Sequence, residues 1–88
     1  MIDKTLTVKN RLGLHARPAA LFAQTASRFQ ASVKVSKDDL EVNGKSVMGL
    51  MMLAAESGSK LRLVIEGSDE KQALTDIEKV FERKFDED

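Results

Sequence analysis

The chain carries one histidine, His15, and no cysteine. Those two facts remove thiolate nucleophiles, disulfide frameworks, sulfur-ligated zinc and any multi-histidine metal site. What remains is a single imidazole with Arg17 two residues on, followed directly by Pro18. Pro18 suits the first turn of a helix, where a missing N–H leaves no acceptor wanting. His15 is therefore expected at or beside the N-cap, next to unpaired backbone amides and the positive end of a helix. That positive end, with Arg17 beside it, disfavours imidazolium and favours a neutral, nucleophilic ring. A phosphoryl group placed on the ring would be held by the helix amides and by Arg17. A hydrolytic triad has less support. It needs a carboxylate against the imidazole, and the nearest acidic residue in sequence, Asp3, is twelve positions away.

Ser46 is the second residue of interest. It precedes an apolar run, Val47, Met48, Leu50, Met51, Met52 and Leu53, broken only by Gly49. A helix N-cap explains it fully, since its hydroxyl can accept a first-turn N–H. A phosphate on the same hydroxyl would also sit well at a helix start, and would change the surface potential more than the fold. The run itself is too apolar for one face of a short helix. Leu50, Leu53 and Ala54 most easily share an inner face, which leaves Val47, Met48 and Met51 partly exposed. Methionines in that setting suggest an adaptable contact patch for protein partners. Lys45, with Arg17, is a candidate source of positive potential near the imidazole.

These residues must be positioned by the elements around them. Ile2, Leu6 and Val8 alternate with Thr5 and Thr7, a half-buried strand interrupted by Lys4. Asn10-Arg11-Leu12-Gly13 reads as a turn. Ala19, Phe22, Ala23, Ala26 and Phe29 then recur at helical spacing. Val33 and Val35 alternate with Ser32, Lys34 and Ser36 in a second strand, Lys37-Asp38-Asp39 turns, and Leu40 and Val42 form a third. The helix after Ser46 runs from Val47 to about Ala55, and Ser57-Gly58-Ser59 closes it. Leu61, Leu63 and Ile65 make a fourth strand. Ser68-Asp69 can cap a last helix whose apolar face is Ala73, Leu74, Ile77, Val80 and Phe81. The order β-α-β-β-α-β-α, with strands patterned for one wet face, predicts an α+β fold: a two-layer antiparallel sheet with helices on one side.

The chain has 88 residues, the size of one domain (residues 1–88). No apolar run approaches the ~20 residues that span a bilayer, and the N-terminal residues lack a signal-peptide layout. A cytoplasmic domain without membrane insertion is expected. Net charge is zero, with fourteen basic and fourteen acidic side chains. The total hides a separation. From Lys4 to Lys37 there are seven basic residues and no acidic one, whereas residues 45–88 carry ten acidic against seven basic. A small α/β nucleic-acid-binding domain is the alternative that this basic stretch allows. Four Phe and no Tyr or Trp, three of the Phe at helix-core positions, offer it few stacking platforms.

Two strings complete the reading. Leu12-Gly13-Leu14-His15-Ala16-Arg17-Pro18-Ala19 and Lys45-Ser46-Val47-Met48-Gly49-Leu50-Met51 together resemble the histidine-containing phosphocarrier family, HPr, of the bacterial phosphoenolpyruvate-dependent phosphotransferase system. The resemblance covers essentially the whole chain. It implies an open-faced sandwich with sheet order 1-4-2-3 covered by three helices, and a monomeric carrier rather than an enzyme, needing no metal or cofactor. His15 would accept a phosphoryl group on Nδ1 from enzyme I and pass it to a histidine of a IIA protein or domain, with Arg17 stabilising the phosphate. Val47, Met48 and Met51 would belong to the partner surface. Ser46 would be the substrate of the family's kinase/phosphorylase, and transcriptional regulators are further expected partners. Nucleic acid is not. The helix after Ser46 is similar to the form that the serine kinase acts on, while the tail Phe85-Asp86-Glu87-Asp88 is similar to that of the nitrogen-related branch. Ala54 stands where many members have Gly, with little expected consequence.

Overall fold

The computed structural model describes residues 1–87; Asp88, the last residue of the tail, lies outside the described residues. The elements are β1 (Ile2–Thr7), α1 (Ala16–Ser27), β2 (Ser32–Lys37), β3 (Leu40–Asn43), α2 (Val47–Met52), β4 (Lys60–Glu66) and α3 (Glu70–Glu82). A one-turn 3-10 segment, Lys84–Asp86, follows. The four strands form one antiparallel sheet in the order β1-β4-β2-β3, as the resemblance implies.

Period-two alternation sets the two faces of this sheet. Val33, Val35, Leu61, Leu63 and Ile65 point inward and are buried, with Ile2, Leu6 and Val42 packed against them. Lys4 lies on the same side of β1 as Ile2 and Leu6, and it is accommodated because its ammonium reaches Glu78 of α3. The apparent break in the strand pattern is thus an ion pair to the covering helix. The opposite face presents Asp3 hydrogen-bonded to Arg62, flanked by Thr5, Lys34, Ser36 and Glu41. Its charges are of both signs.

The helices cover the inner face. Pro18, Ala19, Phe22, Ala23 and Ala26 of α1 are buried, as are Ala73, Ile77, Val80 and Phe81 of α3. Small residues on α1 let the helices approach closely. Phe22 meets Phe81 edge to face at 5.9 Å between centroids, and Phe85 lies 4.9 Å beyond Phe81. Burying rings of this size stabilises by roughly 1.5–3 kcal/mol each. Asp69 is the N-cap of α3, yet its side chain does not cap that helix. Its two carboxylate oxygens accept the Gln30 and Ala31 N–H groups, both at 2.9 Å, and so tie α3 to the connection between α1 and β2.

Candidate functional site

The chain leaving β1 is clamped before it reaches His15. Val8 exchanges backbone hydrogen bonds with Ser59 and Gly58, both at 2.8 Å. Asn10 is fully buried, its carbonyl accepts the Gly13 N–H, and its Nδ2 donates to the Gly13 carbonyl at 2.7 Å. Gly13 has φ of 75°, and a Cβ there would sit 2.4 Å from the Ala55 carbonyl oxygen. Only glycine satisfies both the left-handed backbone and that approach. Leu14 is buried and donates its N–H to the same Ala55 oxygen at 2.8 Å.

His15 emerges from this clamp as the N-cap of α1, in extended conformation, and its side chain makes no capping bond. Its carbonyl accepts the Ala19 N–H at 2.9 Å. Pro18 has no N–H to satisfy, so the amides of Ala16 and Arg17 are the ones left open at this helix start. The ring is 39% exposed. Arg17 is exposed and makes no hydrogen bond or ion pair among the described residues.

The acid-free surroundings expected from sequence are not what the fold builds. The tail returns to His15 and places Glu87 Oε2 3.0 Å and Oε1 3.3 Å from Nε2. Asn10 Nδ2 donates to the same Oε1 at 2.9 Å. Glu56 also lines the depression beside His15. The carboxylate that sequence proximity could not supply arrives from 72 residues away, and no local pattern signals it. Nδ1 makes no hydrogen bond among the described residues.

A shallow depression of about 260 Å³ adjoins the ring, lined by Leu12, Leu14, His15, Met51, Ala54, Ala55 and Glu56. Met48, Met51 and Met52 are exposed on α2, and Leu12 is 68% exposed on the preceding turn. Val47 is half-buried against the core, while Leu50 and Leu53 point inward. Leu12 and Met52 belong to this apolar rim although sequence reading did not single them out. A large apolar side chain inside an otherwise polar turn was the available signal for Leu12. Ala54 differs from expectation. It is exposed, it lies past the end of α2, and its φ is 50°, so it turns the chain rather than packing inward.

Ser46 is the N-cap of α2, its Oγ accepting the Gly49 N–H at 3.0 Å. It does not line the His15 depression. Lys45 is not near the imidazole either. Its ammonium donates to the Phe29 carbonyl at 2.7 Å, past the far end of α1. Twelve helical residues, about 18 Å, separate the two ends, so Lys45 ties down the chain leaving α1 and adds no local charge to His15.

A partly exposed imidazole on open amides, bordered by an apolar rim of unbranched methionine side chains, suits a group that is handed on between proteins. The comparisons with known proteins agree. The family described as PTS HPr component phosphorylation site matches residues 2–83. Phosphocarrier protein HPr of Treponema pallidum (strain Nichols) is 52% identical over 88 residues, covering all of both chains. The structure of HPr-C-His from Thermoanaerobacter tengcongensis superposes with a TM-score of 0.95 at 46% identity, covering 100% of this chain and 99% of that one. A dimer structure of HPr from the same organism gives 0.77 at 47% identity, covering 97% and 98%. The fold is that of a phosphocarrier domain. The chain belongs to the HPr family of the phosphotransferase system.

Proposed function

We propose that His15 accepts a phosphoryl group on Nδ1 from the phosphohistidine of enzyme I and passes it to a histidine of a IIA protein or domain. The observation that carries this is the unpaired Nδ1 of an accessible ring at a helix start with open Ala16 and Arg17 amides. Arg17, without a partner among the described residues, is free to meet the phosphate oxygens. Val47, Met48 and Met51 contribute to the docking face, together with Leu12 and Met52. The protein acts as a cytoplasmic monomer and as a carrier, not as an enzyme, and it needs no cofactor or metal. Structures of two related proteins are described as dimers, HPr of Thermoanaerobacter tengcongensis and Crh of Bacillus subtilis, so sedimentation of this chain alone decides its state. The nucleic-acid alternative is disfavoured by the open face of the sheet, where charges of both signs stand without an aromatic platform.

Incubation with phosphoenolpyruvate and enzyme I should add one phosphoryl group that is lost in acid and kept in alkali. Uptake by His15→Ala would end this reading. Transfer from the phosphorylated protein to sugar-type and nitrogen-type IIA partners, at equal concentration, separates sugar uptake from a regulatory nitrogen-type relay. Ser46 is proposed as a regulatory site for the family's kinase/phosphorylase. A phosphate on Oγ retains oxygens that can accept the Gly49 N–H, so modification alters charge without removing the cap. Kinase with ATP should label the wild type and leave Ser46→Ala unlabelled. Transcriptional regulators are further proposed partners.

A further inference from the structure

Three consecutive tail residues, Lys84, Phe85 and Asp86, have φ of 54°, 55° and 61°. L-residues avoid this left-handed region, and a run of three persists only where its surroundings fix it. Across the run Arg83 Nε donates to Asp86 Oδ1 at 3.1 Å, and two contacts anchor it to the rest of the fold. Phe85 is buried against Phe81, and Glu87 is held between Asn10 and His15. The Asn10 amide is oriented unambiguously, because its Nδ2 meets two acceptors, the Gly13 carbonyl and Glu87 Oε1. Glu87 is therefore fixed from one side by a buried donor, and its side chain is only 14% exposed.

A carboxylate can only accept, so its bond to Nε2 requires the ring proton to be on Nε2. The lone pair of the neutral ring is then on Nδ1. We infer that Glu87 is a positioning residue for phosphoryl transfer at His15: it selects the tautomer with a free Nδ1 and stabilises the positive charge that the ring gains on phosphorylation. The inference rests on His15 being the phosphoryl acceptor. In the step itself, the Nδ1 lone pair forms the new N–P bond as the donor's bond to phosphorus breaks, its electron pair leaving with the donor nitrogen. The Nε2 proton stays in place, and the ring becomes a phosphoimidazolium paired with Glu87. On return transfer the N–P pair goes back to Nδ1 and the ring is neutral again. A carboxylate behind a histidine orients it and favours its cationic form in this manner in serine hydrolases.

The test uses the full chain with phosphoramidate, a small N–P donor that requires no docking surface. Nitrogen NMR of the unphosphorylated protein should find the neutral His15 ring protonated at Nε2 in the wild type and mixed between tautomers in Glu87→Ala. The phosphorylation rate at saturating phosphoramidate should fall about tenfold to a hundredfold in Glu87→Ala. Glu87→Gln, whose carbonyl can still accept from Nε2–H but carries no charge, should retain the tautomer and an intermediate rate. Glu82→Ala, on the exposed side of α3, controls for a general effect of lost acidity and should match the wild type. Unchanged tautomer and rate in Glu87→Ala would overturn the inference, as would a faster rate, which would make the tail a cover. A wild type that takes no phosphoryl group, with the Nε2–H tautomer intact, would instead bring down the acceptor reading and the rate benefit resting on it.

Discussion

The carbonyl oxygen of Ala55 accepts the Leu14 N–H at 2.8 Å, joining the turn before α1 to the turn after α2. Through that bond the helix that begins at His15 and the helix that presents Met48, Met51 and Met52 are set against each other. Gly13 lies against the same oxygen with φ of 75°. Gly13→Ala would force both a left-handed alanine and a 2.4 Å approach to the Ala55 oxygen, so the two turns must separate. A loss of more than about 1–2 kcal/mol is expected, since the left-handed backbone alone costs an L-residue that much. Chemical denaturation measures it. Unchanged stability would mean that the two turns are not rigidly joined.

Ala54 has the opposite problem. It occupies the position just beyond a helix C-terminus, where left-handed backbone is common and glycine is preferred. Its φ of 50° contradicts the expectation that alanine here is inconsequential. Ala54→Gly removes a left-handed cost of about 1–2 kcal/mol and adds about 0.5–1 kcal/mol of unfolded-chain entropy. The net expectation is a stabilisation of up to about 1.5 kcal/mol, and each kcal/mol raises Tm by roughly 4–8 °C in a domain of this size. A lower Tm would show that Ala54 makes contacts worth more than the strain.

The contrast between these two turns shows where the sequence was legible. All four strands and three helices follow from local spacing, because each buries one face and the residues that do so are near neighbours in sequence. Val33 with Val35, and Ala73 with Ile77 and Val80, announce their elements without help. His15 at the start of α1 and Ser46 at the start of α2 were legible for the same reason, since caps and a first-turn proline act within four residues. Glu87 was not. It reaches His15 through a left-handed turn held by Phe85, and no spacing rule encodes a turn of that hand in Lys84-Phe85-Asp86. Lys45 misled for a related reason. Proximity to Ser46 in sequence placed it near the site, whereas its long side chain reaches the other end of α1.

The last prediction concerns acid. The Gln30 and Ala31 N–H groups bonded to Asp69 hold its carboxyl below the ordinary carboxylate range. Asp3 is lowered in the same direction by its hydrogen bond from Arg62, and Glu70 by the Gly67 N–H. A folded-state pKa below the unfolded value of about 3.9 for Asp means that folding favours the ionised form. The stability linked to it is complete above the unfolded value and is lost as pH falls through the folded one. Asp69→Asn keeps one oxygen acceptor where the wild type has two and carries no charge. It should be less stable than the wild type at pH 7; the gap should narrow as pH drops below about 4, where the unfolded carboxyl takes up its proton, and the charge-linked part should vanish once pH falls through the lowered folded-state value. Urea titrations of both proteins from pH 7 to about pH 2 follow this directly. A gap that stays constant across the range would show that Asp69 acts through packing alone, and that its two backbone hydrogen bonds do not depend on its charge.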